Sequence, residues 1–197
     1  DGISDTSLYP SGCAASDNVY IGGEAGFEVE SATNSIGIGV NAGEGANGDK
    51  GIYIGWDAGA GATGNNLIAI GAQAGQSDTS SSGNVSIGAN AGQTNSGGGN
   101  VFIGGGAGQN ATATTTSVMV GTAAGGSSGM TGGLQTLLGY RAGIGITAGA
   151  LNTLIGADAG TAITTGSNNV VIGQTASGIT TQTWDIAIGN NATVPAG

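Results

Sequence analysis

Few residues in this sequence could do chemistry. Acidic side chains number 12 against 2 basic ones, histidine is absent, and there is one cysteine, Cys13. Without histidine the chain lacks the commonest general base, the serine–histidine arrangements and the usual transition-metal ligand. A single cysteine permits no internal disulfide and no cysteine metal cluster, and Cys13 reads as a small buried hydrophobe. Carboxylates remain. Glu28 and Glu30 stand two apart, which on a strand puts both on one exposed face. Glycoside hydrolysis needs two carboxyl groups flanking a groove, and this spacing implies none. Gly104, Gly105 and Gly106 lack the following Gly-Lys-Ser/Thr and helix of a phosphate loop. No catalytic constellation emerges, and the expectation is a protein that is not an enzyme and carries no cofactor-binding motif. Asp57 and Asp158 are the weak candidates for metal binding, as oxygen donors of the kind Ca2+ takes. The plainer reading places them in a solvated column.

That column belongs to a repeat. Asn84 to Gly108 contains the phrase N-V-x-I-G-x-x-A-G twice, separated by a polar, Gly-rich spacer. Two β-branched residues on either side of one position, closed by Gly, describe a short strand ended by a bend. Eleven copies run from Asn18 to Thr193, with anchoring glycines from Gly22 to Gly189 spaced 16 to 18 residues apart. Self-similarity at a short, near-constant period predicts a solenoid, here of two short strands per coil.

The columns of the repeat assign roles. The residue before each glycine is Ile21, Ile38, Ile54, Ile70, Ile87, Ile103, Val120, Leu138, Ile155, Ile172 and Ile188. With the Val, Ile or Thr two positions earlier it lies on one face of the strand, which is expected to fill the coil. Three residues after each glycine stands Ala in all eleven copies, as at a tight interior corner. The Gly that follows in nine copies suits a bend with positive φ. The residue between the two β-branched columns is mostly apolar as well, with Tyr20, Tyr53, Phe102, Met119, Leu137, Leu154 and Val171. A strand apolar on both faces is covered on both. Those seven residues are therefore expected at a subunit interface. Met130, Leu134, Ile144 and Ile146, in spacers that are polar elsewhere, are expected to pack locally.

Composition bounds the rest. Glycine takes 44 of 197 positions without a collagen frame, and the net charge of −10 leaves no basic surface for phosphates. Nucleic acid is excluded as a partner, and no apolar run approaches the roughly 18 residues that span a bilayer. Residues 1–17 stand outside the period and read as a cap or connector; 18–197 form the repeat domain. Starting at Asp1 without Met, the chain is expected to be processed or part of a longer one. An ice-binding solenoid is a minor alternative, since flat Thr-rich coils order water, but no Thr column runs through all eleven copies.

The stacked phrase V-x-I-G-x-x-A resembles the head repeats of trimeric autotransporter adhesins. The spacer Thr161 to Gly173, preceded by NTLIGADAG, is similar to repeats in phage tail fibres of the endosialidase-chaperone type. The adhesin repeat is a little shorter. The resemblance spans almost the whole repeat domain and implies a left-handed parallel β-roll, with three chains intertwined or side by side about a threefold axis. Such symmetry would bring three copies of Asp57, or of Asp158, to one height as an oxygen ring for Ca2+. The implied function is a segment of a phage fibre or spike that projects outward and supports attachment to a host surface. The alternative is the head of a bacterial surface adhesin or a subunit of an extracellular filament. Its partners would be its own copies, a virion or cell-surface attachment point, and a host surface glycan or protein. Its location would be the virion or the cell surface, with no insertion into the membrane.

Overall fold

Each V-x-I phrase forms one three-residue strand. The computed structural model describes residues 17–79, 83–126, 129–176 and 180–193. The expected cap at residues 1–17, with Cys13, lies outside them apart from Asp17. The strands are β1 (Val19–Ile21), β2 (Ile36–Ile38), β3 (Ile52–Ile54), β4 (Ile68–Ile70), β5 (Val85–Ile87) and β6 (Val101–Ile103). They continue as β7 (Val118–Val120), β8 (Thr136–Leu138), β9 (Thr153–Ile155), β10 (Val170–Ile172) and β11 (Ile186–Ile188). They pair in chain order, all parallel, as one 11-stranded sheet, and no helix occurs among the described residues. The chain is an all-β solenoid.

Register follows the repeat. Val19 sits on Ile36, Phe102 on Met119 and Val171 on Ala187, so each position of the phrase stacks on its equivalent one coil away. The strands stop at three residues because of the glycine that follows. Gly104 has φ 127°, and a Cβ there would lie 2.7 Å from the carbonyl carbon of Gly121 in the next coil. Only glycine fits. Two positions later the backbone turns left-handed in every copy described, as at Asp57 (φ 53°), Asn90 (φ 59°) and Asp158 (φ 57°). Asn, Asp and Gly tolerate that conformation, which explains the polar column seen in the sequence.

One expectation fails here. The coil has one strand per turn among the described residues, with bends in place of a second. Residues at positive φ recur too often in the spacer for a pleat to continue. Glu28 is one of them (φ 58°) and closes a turn, and Glu30 lies in the irregular backbone after it, so neither is on a strand. The spacers still bond from coil to coil, as in Thr131 N–H to Thr147 O and Thr147 N–H to Thr164 O, both 2.8 Å.

The interior is built from three kinds of residue. The Ala column is buried throughout the middle coils, from Ala42 to Ala176, as its invariance predicts. Large side chains from the strands fill the gaps between layers, and the spacer residues Met130, Ile146 and Ile163 close the far side. Beside them runs a ladder of buried polar side chains just before the strands. Asn84 Oδ1 accepts the Asn100 N–H at 2.8 Å, Asn100 Oδ1 accepts that of Ser117 at 2.9 Å, and Ser117 Oγ accepts that of Gln135 at 3.1 Å. Gln135, Asn152 and Asn169 continue it to the Asp185 N–H. This ladder satisfies backbone donors that the bend into each strand would otherwise strand without a partner.

Candidate functional site: the outer sheet face and its corners

Alternation on a three-residue strand sends the middle side chain one way and its two neighbours the other. The sequence reading assigned these two directions, and the structure reverses the assignment. Tyr53, Phe102, Met119, Leu137, Leu154 and Val171 are fully buried inside the coil, and Tyr20 in the first coil is half-buried. None of these seven forms an outward face. The residues expected to fill the core point outward: Ile21, Ile38, Ile54, Ile103, Leu138 and Ile188 are exposed, and Ile70, Ile87, Val120, Ile155 and Ile172 are partly so.

The physical reason lies in how layers stack. The middle column mixes Tyr, Gly, Ala, Ser, Phe, Met, Leu and Val, which is how an interior interdigitates large with small. A Cβ on Gly59 would run into the Tyr53 ring, and one on Gly92 would lie 2.6 Å from Phe102 Cδ2. The outer columns are uniform, because each residue there needs only to lie beside its equivalent above and below.

The result is an apolar face two columns wide and eleven strands long. Every outward strand position is Val, Ile or Leu except Thr136 and Thr153. At about 4.8 Å per strand the face is roughly 50 Å long. Soluble monomers rarely expose a contiguous apolar patch of such extent.

Two rows of corners flank it. Two residues before every strand the backbone is left-handed, and the occupants include Asn34, Lys50, Gly83, Gly99 and Asn168. Leu134, Leu151 and Trp184 hold the same conformation (φ 59°, 61° and 73°) while 52%, 49% and 76% exposed. The expectation that Leu134 packs locally is therefore not met, although Met130 and Ile146 do pack into the core. In coils 8 and 9, where Leu134 and Leu151 occupy the corner, the adjoining outward residue is Thr136 or Thr153. The apolar strip shifts sideways there without breaking. On the other flank, two residues past the strand, stand Val40, Trp56 and Tyr140, each about half exposed.

The polar positions are structurally engaged. Asp57 accepts a hydrogen bond from Asn41 Nδ2 at 2.9 Å and another from Gln76 Nε2 at 3.4 Å. Gln93 and Gln109 extend that chain of amides along one edge. Asp158 Oδ1 lies 3.4 Å from Arg141 Nε, an exposed ion pair worth under about 1 kcal/mol, without a well-aligned hydrogen bond. Arg141 also lies over the Tyr140 ring at 5.7 Å. Asp57 and Asp158 are six coils apart, and no group of three or more acidic, Cys or His residues gathers among the described residues. Thr131, Thr147, Thr164 and Thr180 align as a ladder, over four coils only.

One buried group is perturbed. The Tyr53 hydroxyl has no hydrogen-bond partner, and burial, with help from Tyr20, Asp78 and Asp49, raises its pKa well above the ordinary 10.0. It lies in an apolar cluster spanning Ala42 to Ala74, separate from the larger one spanning Ala91 to Ala187. Between them sits a buried polar layer with Asp78, Ser86 and Asn95, where Asp78 Oδ2 accepts from Asn84 Nδ2 at 2.8 Å.

No family model, curated protein or solved structure matches this chain. Its own surface must carry the functional argument. Sequence reasoning missed the buried Asn ladder and the first row of corners. The signal for the corners was present: Asp, Asn, Gly and Lys two residues before a β-branched pair is what a left-handed turn selects.

Proposed function

We propose that this chain is a structural segment of a homotrimeric fibre or spike, in which the outer Val/Ile faces of three copies turn toward a common axis. The observation that carries the reading is the unbroken apolar face along all eleven strands. Each of its side chains is already partly covered by its neighbours, so full burial adds on the order of 1 kcal/mol apiece. Summed over two columns this reaches roughly 20 kcal/mol per chain, above the roughly 4–15 kcal/mol that association costs. Apart from Phe27, every large hydrophobic residue that is exposed among the described residues lies on this face or at its flanking corners, which suits a soluble shaft. The fibre projects from a virion, as the phage tail-fibre resemblance suggests, and supports attachment to a host surface.

Sedimentation equilibrium tests the assembly. The expected mass is three times 18.4 kDa, about 55 kDa, and a stable species of 18.4 kDa overturns the reading. Antibodies to the folded chain, imaged by electron microscopy, are expected to decorate projections on virus particles. Decoration of bacterial surfaces alone would give the adhesin-head reading instead.

A further inference from the structure

Each coil of a solenoid touches only its neighbours, so the stack divides where one junction is weakest. Three features weaken the same junction here, between coils 4 and 5. The first is the core. The inward strand column reads Tyr53, Ala69, Ser86 and Phe102, which leaves a methyl and a hydroxyl between two aromatic rings. Seven residues past the bend glycine, coils 3 and 6 carry Ala62 and Ala111, whereas coils 4 and 5 bury Asp78 and Asn95. The Ser86 hydroxyl is buried without a partner, which a low-dielectric interior penalises. Ala74 closes one apolar cluster and Ala91 opens the next.

The second feature is the polar ladder. Ser35 Oγ accepts the Gly51 N–H at 3.1 Å. Gly51 and Leu67, the next two rungs, have no side-chain acceptor to offer the coil that follows. The ladder resumes at Asn84, the first rung past the junction, and runs from there to the Asp185 N–H.

The third is charge. Residues 17–79 hold eight acidic residues against Lys50, a net −7. Residues 83–193 hold Asp158 and Asp185 against Arg141, a net −1. The first group repels itself, and self-repulsion favours opening over compactness. The charge therefore changes at the same place as the core and the ladder.

We propose that coils 1–4 open as a unit of their own, ahead of coils 5–11, with the boundary at the Asp78, Ser86 and Asn95 layer and with salt controlling the opening. Backbone hydrogen bonds cross this layer unbroken, as in Gly88 N–H to Ile70 O at 2.7 Å, so the folded coils stay continuous. What the layer lacks is the side-chain packing that would make one unit hold the other closed. The unit with the smaller apolar cluster and the larger charge opens first. This is a property of each copy's own core and needs no association between copies. In a fibre it gives a shaft whose first coils respond to ionic strength while the rest keeps its length.

Tryptophan fluorescence reads the two units separately. Trp56 and Tyr140 hold the same corner, two residues past the strand, in coils 3 and 8. Trp184→Phe leaves Trp56 as the only reporter, and Trp56→Phe/Trp184→Phe/Tyr140→Trp moves that reporter to coil 8. In urea at about 0.02 M NaCl and fixed chain concentration, the coil 3 midpoint is expected at least about 0.5 M below that of coil 8. Raising NaCl to about 0.5 M is expected to narrow the gap by lifting the coil 3 midpoint. In the unaltered chain, hydrogen exchange read by mass spectrometry is expected to be faster, as a block, over residues 18–79 than over residues 84–188. Asp78→Ala/Ser86→Ala, which joins the two apolar clusters, is expected to draw the midpoints together; where that variant does not fold, the exchange boundary decides. Coincident midpoints at low salt, or coil 8 opening first, overturn the proposal. A gap that salt leaves unchanged overturns the control by charge, and an exchange boundary at another coil overturns the role of this layer.

Discussion

Replacing Asn100 by Ala tests the buried polar ladder. Asn100 is fully buried; its Oδ1 accepts the Ser117 N–H at 2.9 Å, and its Nδ2 donates to Gly97 O at 3.0 Å and Thr114 O at 2.8 Å. Gly97 O retains a donor in Asn84 Nδ2 at 2.9 Å, so alanine orphans two groups, the Ser117 N–H and the Thr114 carbonyl. At about 1–3 kcal/mol for each buried unsatisfied group, the loss is about 2–6 kcal/mol. With an m-value of about 2 kcal/mol/M, the urea midpoint falls by roughly 1–3 M, read by far-UV circular dichroism at fixed protein concentration. Serine provides the internal control. Ser117 Oγ already performs the ladder's accepting role for Gln135 N–H, while its own hydroxyl donates to Thr115 O at 3.2 Å. Asn100→Ser is therefore expected to keep the bond to Ser117 and lose about half as much stability. A loss below about 1 kcal/mol for Asn100→Ala, or equal losses for both variants, would refute the accounting.

Adjacent strand residues are expected to part company: Phe102→Ala, deep in the coil, costs about 3–5 kcal/mol in chemical unfolding. Ile103→Asp on the outer face leaves the circular dichroism spectrum intact and lowers the sedimentation mass. Neighbouring glycines also differ. Gly104→Ala forces a Cβ onto the next coil at φ 127° and is expected to cost at least about 3 kcal/mol in thermal unfolding, whereas Gly105→Ala, with no heavy atom closer than 3.9 Å, stays within about 0.5 kcal/mol. Tyr53→Phe removes a buried hydroxyl without a partner and is expected to stabilise the protein by about 1 kcal/mol at neutral pH. Because the folded state raises the Tyr53 pKa above 10.0, the unfolded chain releases that proton first. Stability therefore falls as pH rises above 10.0, and a urea titration is expected to show less of that fall in Tyr53→Phe.

Periodicity made the architecture legible. All eleven strands lie on the V-x-I phrase, and the invariant Ala and the bend glycines sit where their restriction to one residue type implied. The face of the strand was not legible from hydrophobicity, because both faces are apolar and alternation does not say which is inside. Variation decided it: Tyr20, Gly37 and Tyr53 stack in successive coils, and a Cβ on Gly37 would collide with the Tyr20 ring. An interior column tolerates changes of size that are compensated one layer away, whereas residues of the outer columns only lie beside their equivalents above and below and stay uniform. Asn100 and its ladder partners look like ordinary loop residues in sequence, since their hydrogen bonds reach 13 to 18 residues along the chain.

The constant register between coils makes the length of this molecule countable. Gaining or losing one complete period would move its ends by about 4.8 Å and ask no residue to find a new kind of neighbour. In the proposed assembly of identical copies, such an edit would reach every copy at once and leave their lengths equal. Reach can then be tuned in rungs, by duplication alone.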